Sequence, residues 1–224
     1  MQNRRKLALL AAVLMVLALL AGCGKPQEQS SAPEESSMTE QSSSVVEPEK
    51  KEYTAGVRTE KEYTSEWMGL KYTLSDSMVM ATDEEILQYM EAGDEMLYND
   101  SGEIDYENLG IVYEMAAVDA TTSENLSIVV EKLALSGMSE AQYMEAVKQT
   151  LAQMDNAEVT LGEESTCMVA GLEFRRIDYS MDLDGQMLMQ TMLFRKMDDR
   201  MVGMTFTYLE EASLEAMLSG FSAL

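Results

Sequence analysis

Residues 157–208 read AEVTLGEESTCMVAGLEFRRIDYSMDLDGQMLMQTMLFRKMDDRMVGMTFTY, and their reading decides the fold. Apolar and β-favouring residues recur in four runs, roughly 157–168, 171–182, 186–197 and 200–208. Asp182-Leu183-Asp184-Gly185 and Asp198-Asp199-Arg200 fall at the junctions. Asp and Gly at such junctions make tight turns, and strands joined by tight turns pair antiparallel. The stretch therefore predicts a meander of three or four strands.

Working outward, Gly110–Thr121 and Asn125–Ala134 predict a hairpin closed by Thr121-Thr122-Ser123-Glu124. In it Val112, Met115 and Val118 face Ile128 and Val130. Trp67–Ser75 (WMGLKYTLS) alternates Met68, Leu70, Tyr72 and Leu74 onto one face, the period of a strand. Three helices are interspersed. Thr82 with Glu85 forms a capping box ahead of Ile86, Leu87, Met90 and Leu97. Ser139 with Gln142 forms another ahead of Met144, Val147, Leu151 and Met154. Leu214, Met217, Leu218 and Phe221 give the last stripe, a helix near 210–221. Residues 99–108 are a polar loop, and the two KEYT segments at 51–54 and 61–64 are a local coincidence. The fold class is α+β, an antiparallel sheet whose faces are covered by helices in an α/β/α sandwich.

This order of elements, with the opening segment Tyr63-Thr64-Ser65-Glu66-Trp67-Met68-Gly69-Leu70-Lys71-Tyr72, resembles the PsbP-like/DcrB-like group of α/β/α sandwiches over residues 53–224. The resemblance implies a non-enzymatic accessory or binding domain with no shared catalytic residues. The chain carries Ser75-Asp76-Ser77 where members of that group commonly have a proline after the first strand.

The first 22 residues read as an export signal: a basic segment (Arg4, Arg5, Lys6), then an apolar run over 7–21. At about 1.5 Å per residue the run covers roughly 22 Å, short of a hydrocarbon core of about 30 Å. Leu20-Ala21-Gly22-Cys23 resembles the lipobox of bacterial lipoproteins, which implies cleavage before Cys23 and acylation of its thiol with palmitate-type chains. Gly24 does not settle the envelope type. Residues 23–52, which hold all three prolines (Pro26, Pro33, Pro48) among Ser, Glu and Gln, read as a disordered tether. Residues 53–224 are the folded domain. The expected location is the extracytoplasmic side of a bacterial membrane, with the lipid membrane as partner through acylated Cys23.

The 224 residues carry 16 Lys and Arg against 40 Asp and Glu. Three of the basic residues precede Cys23 and no acid does, so a chain starting there has 13 against 40, a net charge of −27. That charge excludes nucleic acid as a partner, because phosphates are bound by neutralising them; an envelope protein or a basic partner is compatible with it. There is no histidine, so no Ser-His-Asp triad and no His metal site. Cys167, beside Glu163 and Glu164, lacks a base to make it a nucleophile and reads as core. Calcium has weak candidate ligands in Asp182 and Asp184, half of an EF-hand pattern, and in Asp100 and Asp105 of the polar loop. The methionines of the meander (Met181, Met187, Met189, Met192, Met197, Met201, Met204) could hold Cu(I), but their spread through every element favours core packing. Trp67, Tyr53, Tyr63 and Tyr72 read as packing of the first strand, against the alternative of an exposed stacking platform. The expectation is a membrane-anchored, non-enzymatic binding or accessory module with no cofactor; the alternative is a cation-binding lipoprotein.

Overall fold

Four long strands organise the molecule: β7 (Glu158–Val169), β8 (Leu172–Leu183), β9 (Gln186–Met197) and β10 (Arg200–Tyr208). The structure is a computed structural model that describes residues 52–91, 110–153, 158–183 and 186–224. The signal peptide, the tether before residue 52, the helical residue Leu97, the loop at 99–108, Met154 and the Asp184-Gly185 turn lie outside the described residues. The four strands pair in sequence order, with Cys167 opposite Phe174, Asp178 opposite Thr191 and Leu193 opposite Met204. Ala170 (φ 51°) and Gly171 (φ 82°) make the two-residue turn between β7 and β8. Positive φ at both positions matches the right-handed twist of the flanking strands.

β10 then pairs with β6 (Asn125–Lys132), β6 with β5 (Ile111–Asp119), and β5 with β4 (Met78–Met80). The result is a seven-stranded, wholly antiparallel sheet in the order β4-β5-β6-β10-β9-β8-β7. Met115 pairs with Ile128 as expected; a bulge between Tyr113 and Met115 lets Val112, three positions away, pair with Val130.

A second sheet of β1 (Val57–Arg58), β2 (Glu62–Ser65), β3 (Leu70–Thr73) and β11 (Phe221–Ala223), in that order, covers part of the first. Here the structure corrects the sequence reading. The strand expected over 67–75 is only four residues long, because the Gly69 amide closes a turn on the Ser65 carbonyl at 2.9 Å with φ 72° at Gly69. The final helix stops at Ser219, and Phe221 leaves it to pair with Tyr72.

The helices are α1 (Asp83–Glu91), α2 (Glu140–Ala152) and α3 (Glu211–Ser219). Both expected capping boxes are present. The Thr82 and Ser139 hydroxyls accept from the Glu85 and Gln142 amides, and those two side chains accept from the cap amides at 2.9 Å. One face of the large sheet packs against α1 and α2 through Ile86, Met90, Met144, Val147, Ile177 and Phe194. The other packs under the small sheet and α3 through Tyr63, Leu70, Met204, Phe206, Leu214 and Phe221. The α+β sandwich is as expected, except that its second outer layer is a small sheet with one helix. With both faces covered, every residue of β10 is buried.

Candidate functional site

Where β5 ends, Asp119 accepts the amides of Thr121 (2.7 Å) and Thr122 (3.0 Å) on one carboxylate oxygen, which folds the turn into β6. The Ser77 hydroxyl, followed by the Thr122 amide, holds this carboxyl below the usual carboxylate range, so Asp119 is a fixed negative charge. Glu124, five residues on, accepts the Leu209 amide (3.0 Å) and the Thr122 hydroxyl (3.0 Å), tying the turn to the chain entering α3. Between this turn and α3 lies a cleft of about 130 Å³. Asp119, Glu124, Ser75 and Ser77 line it together with Ser213, Ala216 and Met217 of α3, and Tyr72 and Met78 complete the lining. Tyr72 is 1 % exposed, its hydroxyl is pushed up to about 12 by burial, and it donates to the Met78 sulfur at 3.7 Å.

Two other carboxylates are buried away from the cleft. Glu114 accepts the Tyr53 hydroxyl (2.7 Å), the Gly56 amide (3.1 Å) and the Tyr63 hydroxyl. Arg58 donates to the Glu114 backbone oxygen and pairs with Asp83 at 2.6 Å. Residues 53–58 are thereby strapped across the sheet, with the Tyr53 ring edge-on to Trp67 at 5.0 Å and beneath the Arg200 guanidinium at 4.0 Å. Glu131 accepts the Tyr143 hydroxyl of α2. Burial pushes both carboxyls up from the ordinary value, and the hydroxyl donors pull them partly back. A third polar cluster, outside the cleft, joins Arg176 to Asp178 (2.8 Å) and Asp178 to Thr191 (2.6 Å).

Of the residues singled out in the sequence, Asp182 lies in β8 opposite Met187, while Asp184, Asp100 and Asp105 lie outside the described residues, as does Cys23. No group of three or more Cys, Asp or Glu able to hold a metal occurs among the described residues. The methionines separate: Met181, Met192 and Met201 pack toward the helices α1 and α2, Met204 lies in the opposite cluster, Met189 and Met197 pack against its margin, and Met187 is exposed. All of them but Met187 contribute to the packing of one core cluster or the other. Trp67, Tyr63 and Tyr72 are buried, and Cys167 is half-buried against the core. The cleft residues escaped the sequence reading because Thr121–Glu124 reads as a turn and Ser75–Ser77 as a missing proline. The one local signal was Asp119 two residues ahead of a Thr-Thr pair, the spacing of an Asx turn.

No family model matches the chain, and no curated protein matches it in sequence. Several solved structures are similar in chain course. Cyanobacterial PsbP (CyanoP) from Synechocystis is 10 % identical with a TM-score of 0.43, over 77 % of this chain and 98 % of that one. A protein of Bacteroides thetaiotaomicron is 12 % identical with a TM-score of 0.38, over 73 % of this chain and 48 % of that one. LpqN of Mycobacterium tuberculosis, described as involved in cell envelope biogenesis, is 7 % identical with a TM-score of 0.39, over 68 % of this chain and 82 % of that one. At such scores these likenesses add nothing to the architecture that the strand pairing gives, and no activity is carried across from them.

Proposed function

We propose that this chain is a lipid-anchored, extracytoplasmic accessory module that binds a ligand or partner without transforming it. The observation that carries the reading is how its carboxylates are divided. General acid–base work asks for a carboxyl with a raised pKa in reach of substrate. The two raised carboxyls among the described residues, Glu114 and Glu131, are 1 % and 9 % exposed and hold tyrosines that fasten the strap and α2. Of the two carboxylates that line the cleft, Asp119 is shifted the other way. A fixed charge in a small cleft suits recognition.

The anchoring half of the proposal rests on the sequence Leu20-Ala21-Gly22-Cys23. No described helix is long and apolar enough to cross a membrane. Two or more acyl chains on Cys23 would hold the domain firmly, at about 0.8 kcal/mol for each buried methylene. The Cys23→Ala variant should move from the membrane to the soluble fraction and lose the acyl mass. A variant that stayed membrane-bound at unchanged mass would sink the anchor.

A further inference from the structure

We infer that the outer edge of β7 is a docking surface for an extended, lysine- or arginine-bearing polypeptide segment, which adds to the large sheet as a further strand. Among the described residues the two sheets end in four edge strands, and three of these are guarded by their shortness: β1 has two residues, β4 and β11 three each. β7 has twelve. A bulge between Leu161 and Glu164 interrupts its first half. From Glu164 to Val169, however, it pairs with β8 residue for residue and contains neither proline nor lysine, the usual blocks to strand addition. The two-residue turn at Ala170 and Gly171 makes Val169 and Leu172 a hydrogen-bonded pair, and the ladder alternates from there. The N–H and C=O groups of Glu164, Thr166 and Met168 therefore point away from β8. No backbone group among the described residues meets them, and the Met168 carbonyl has only the Cys167 thiol at 3.9 Å. Gly162, Glu163, Glu164, Ser165, Thr166 and Met168 are all exposed, so this edge stands open.

The open stretch is bracketed by two carboxylates without a counter-ion. Glu163 precedes it, and Glu173, directly across from Met168 on β8, stands at its far end. Both are exposed, and neither side chain makes an ion pair or a hydrogen bond among the described residues. Glu164, between them, is already held by Lys148 of α2 at 2.8 Å and by Arg175 at 3.1 Å. At about 3.4 Å per residue the two free carboxylates lie roughly 17 Å apart along the edge, the reach of about five residues of an added strand. A segment with a basic residue near each end and β-favouring residues between them meets both charges. It also lays an apolar side chain against Met168, which is 62 % exposed. The net charge of −24 acts in the same sense at longer range, drawing a basic segment in. It opposes the other simple occupant of an open edge, the β7 strand of a second copy, which carries the same charge.

The inference rests on the binding-module reading but not on the anchor, so the full-length chain is titrated in detergent and its membrane fractionation is scored separately. The probe is fluorescein-labelled Lys-Thr-Val-Thr-Val-Lys amide, followed by anisotropy. Its controls are the analogue with glutamate at both ends and the analogue with proline for the central threonine, which cannot complete the ladder. The lysine peptide should bind one to one and more weakly as salt rises, and both analogues should bind about tenfold more weakly or worse. Thr166→Pro removes an outward N–H from an edge strand, where proline is tolerated, and should abolish binding while the urea midpoint stays near that of the wild type. Glu163→Lys combined with Glu173→Lys leaves the backbone edge intact and should reverse the preference toward the glutamate peptide; this variant decides the matter should proline disturb β7. No binding of the lysine peptide, unchanged affinity in a folded Thr166→Pro chain, or an unreversed preference in the charge-swapped chain would each overturn the assignment. So would sedimentation showing wild-type dimers that Thr166→Pro dissolves, which would give the edge to a second copy. A chain that fails this titration while still fractionating with the membrane loses the β7 surface and keeps the anchored-module reading.

Discussion

Glu114 is the side chain on which the entry of the chain into its fold depends, and removing it has a cost that can be worked from its contacts. In Glu114→Ala the Tyr53 and Tyr63 hydroxyls and the Gly56 amide lose their acceptor together. A buried donor left unpaired costs about 1–3 kcal/mol, and the three share one small space, so the sum comes to about 4 kcal/mol. In Glu114→Gln one oxygen remains for Tyr63 and Gly56, and the Tyr53 hydroxyl can turn to accept from the new amide. That variant should lose about 1 kcal/mol.

The pH dependence has a definite sign. Burial raises the folded carboxyl above its unfolded value, so the folded state holds its proton longer. The stability this adds is fully present below the unfolded value of about 4.3 and is lost as pH rises through the folded pKa. Wild-type stability from this group therefore falls with rising pH above that point, and Glu114→Gln should flatten the slope. Glu131, shifted the same way, leaves its own share. The assay is urea unfolding across a pH series, followed by the fluorescence of Trp67, the only tryptophan, buried against Tyr53. Trypsin cleavage at Arg58 reports release of the strap in the alanine variant. If Glu114→Ala proved as stable as Glu114→Gln, or if the glutamine variant kept the wild-type slope, the account of the carboxylate as the strap's common acceptor would fail.

The β7–β8 turn separates two substitutions that look alike. Gly171→Ala should cost about 1 kcal/mol by thermal unfolding, because its φ of 82° disfavours a Cβ although the space around it is open. Ala170→Gly, at φ 51°, should gain up to about 1 kcal/mol for the converse reason. At Gly220 the obstacle is space: a Cβ there would lie 2.5 Å from a Tyr72 ring carbon and 2.8 Å from the Thr73 carbonyl oxygen. Gly220→Ala should lower the urea midpoint by the equivalent of about 2 kcal/mol, and a neutral result would mean that α3 and β3 are not held so close.

The parts of the fold legible in the sequence are those whose elements are long. β7 to β10 span nine to twelve residues each, enough for turn residues to bracket them, and their expected bounds agree with the structure to within a residue or two. The capping boxes of α1 and α2 were legible because both partners lie within four residues of chain. β1, β2, β4 and β11, at two to four residues, were not. Such strands carry too few alternations to show a period and owe their existence to partners elsewhere in the chain. Phe221 completes a helical stripe in sequence yet pairs with Tyr72, because Gly220 ends the helix and the β3 edge is open to it. The cleft is hidden for the same reason: Ser75, Asp119 and Ser213 become neighbours only once β4, the β5–β6 turn and α3 have converged.

The pairing of β11 with β3 sets an order on how the molecule can be made. Its partners lie about 150 residues apart, so the small sheet has a free edge until the Phe221–Ala223 segment has been synthesised. Up to then Tyr72 lacks the ring of Phe221, which in the finished structure sits 4.5 Å from it, and Phe206 lacks the same neighbour at 6.2 Å. A growing chain of this sequence thus cannot lock early into its final shape. Its closing latch comes about 150 residues after the strand it completes, and the nascent polypeptide stays pliable until that segment has emerged.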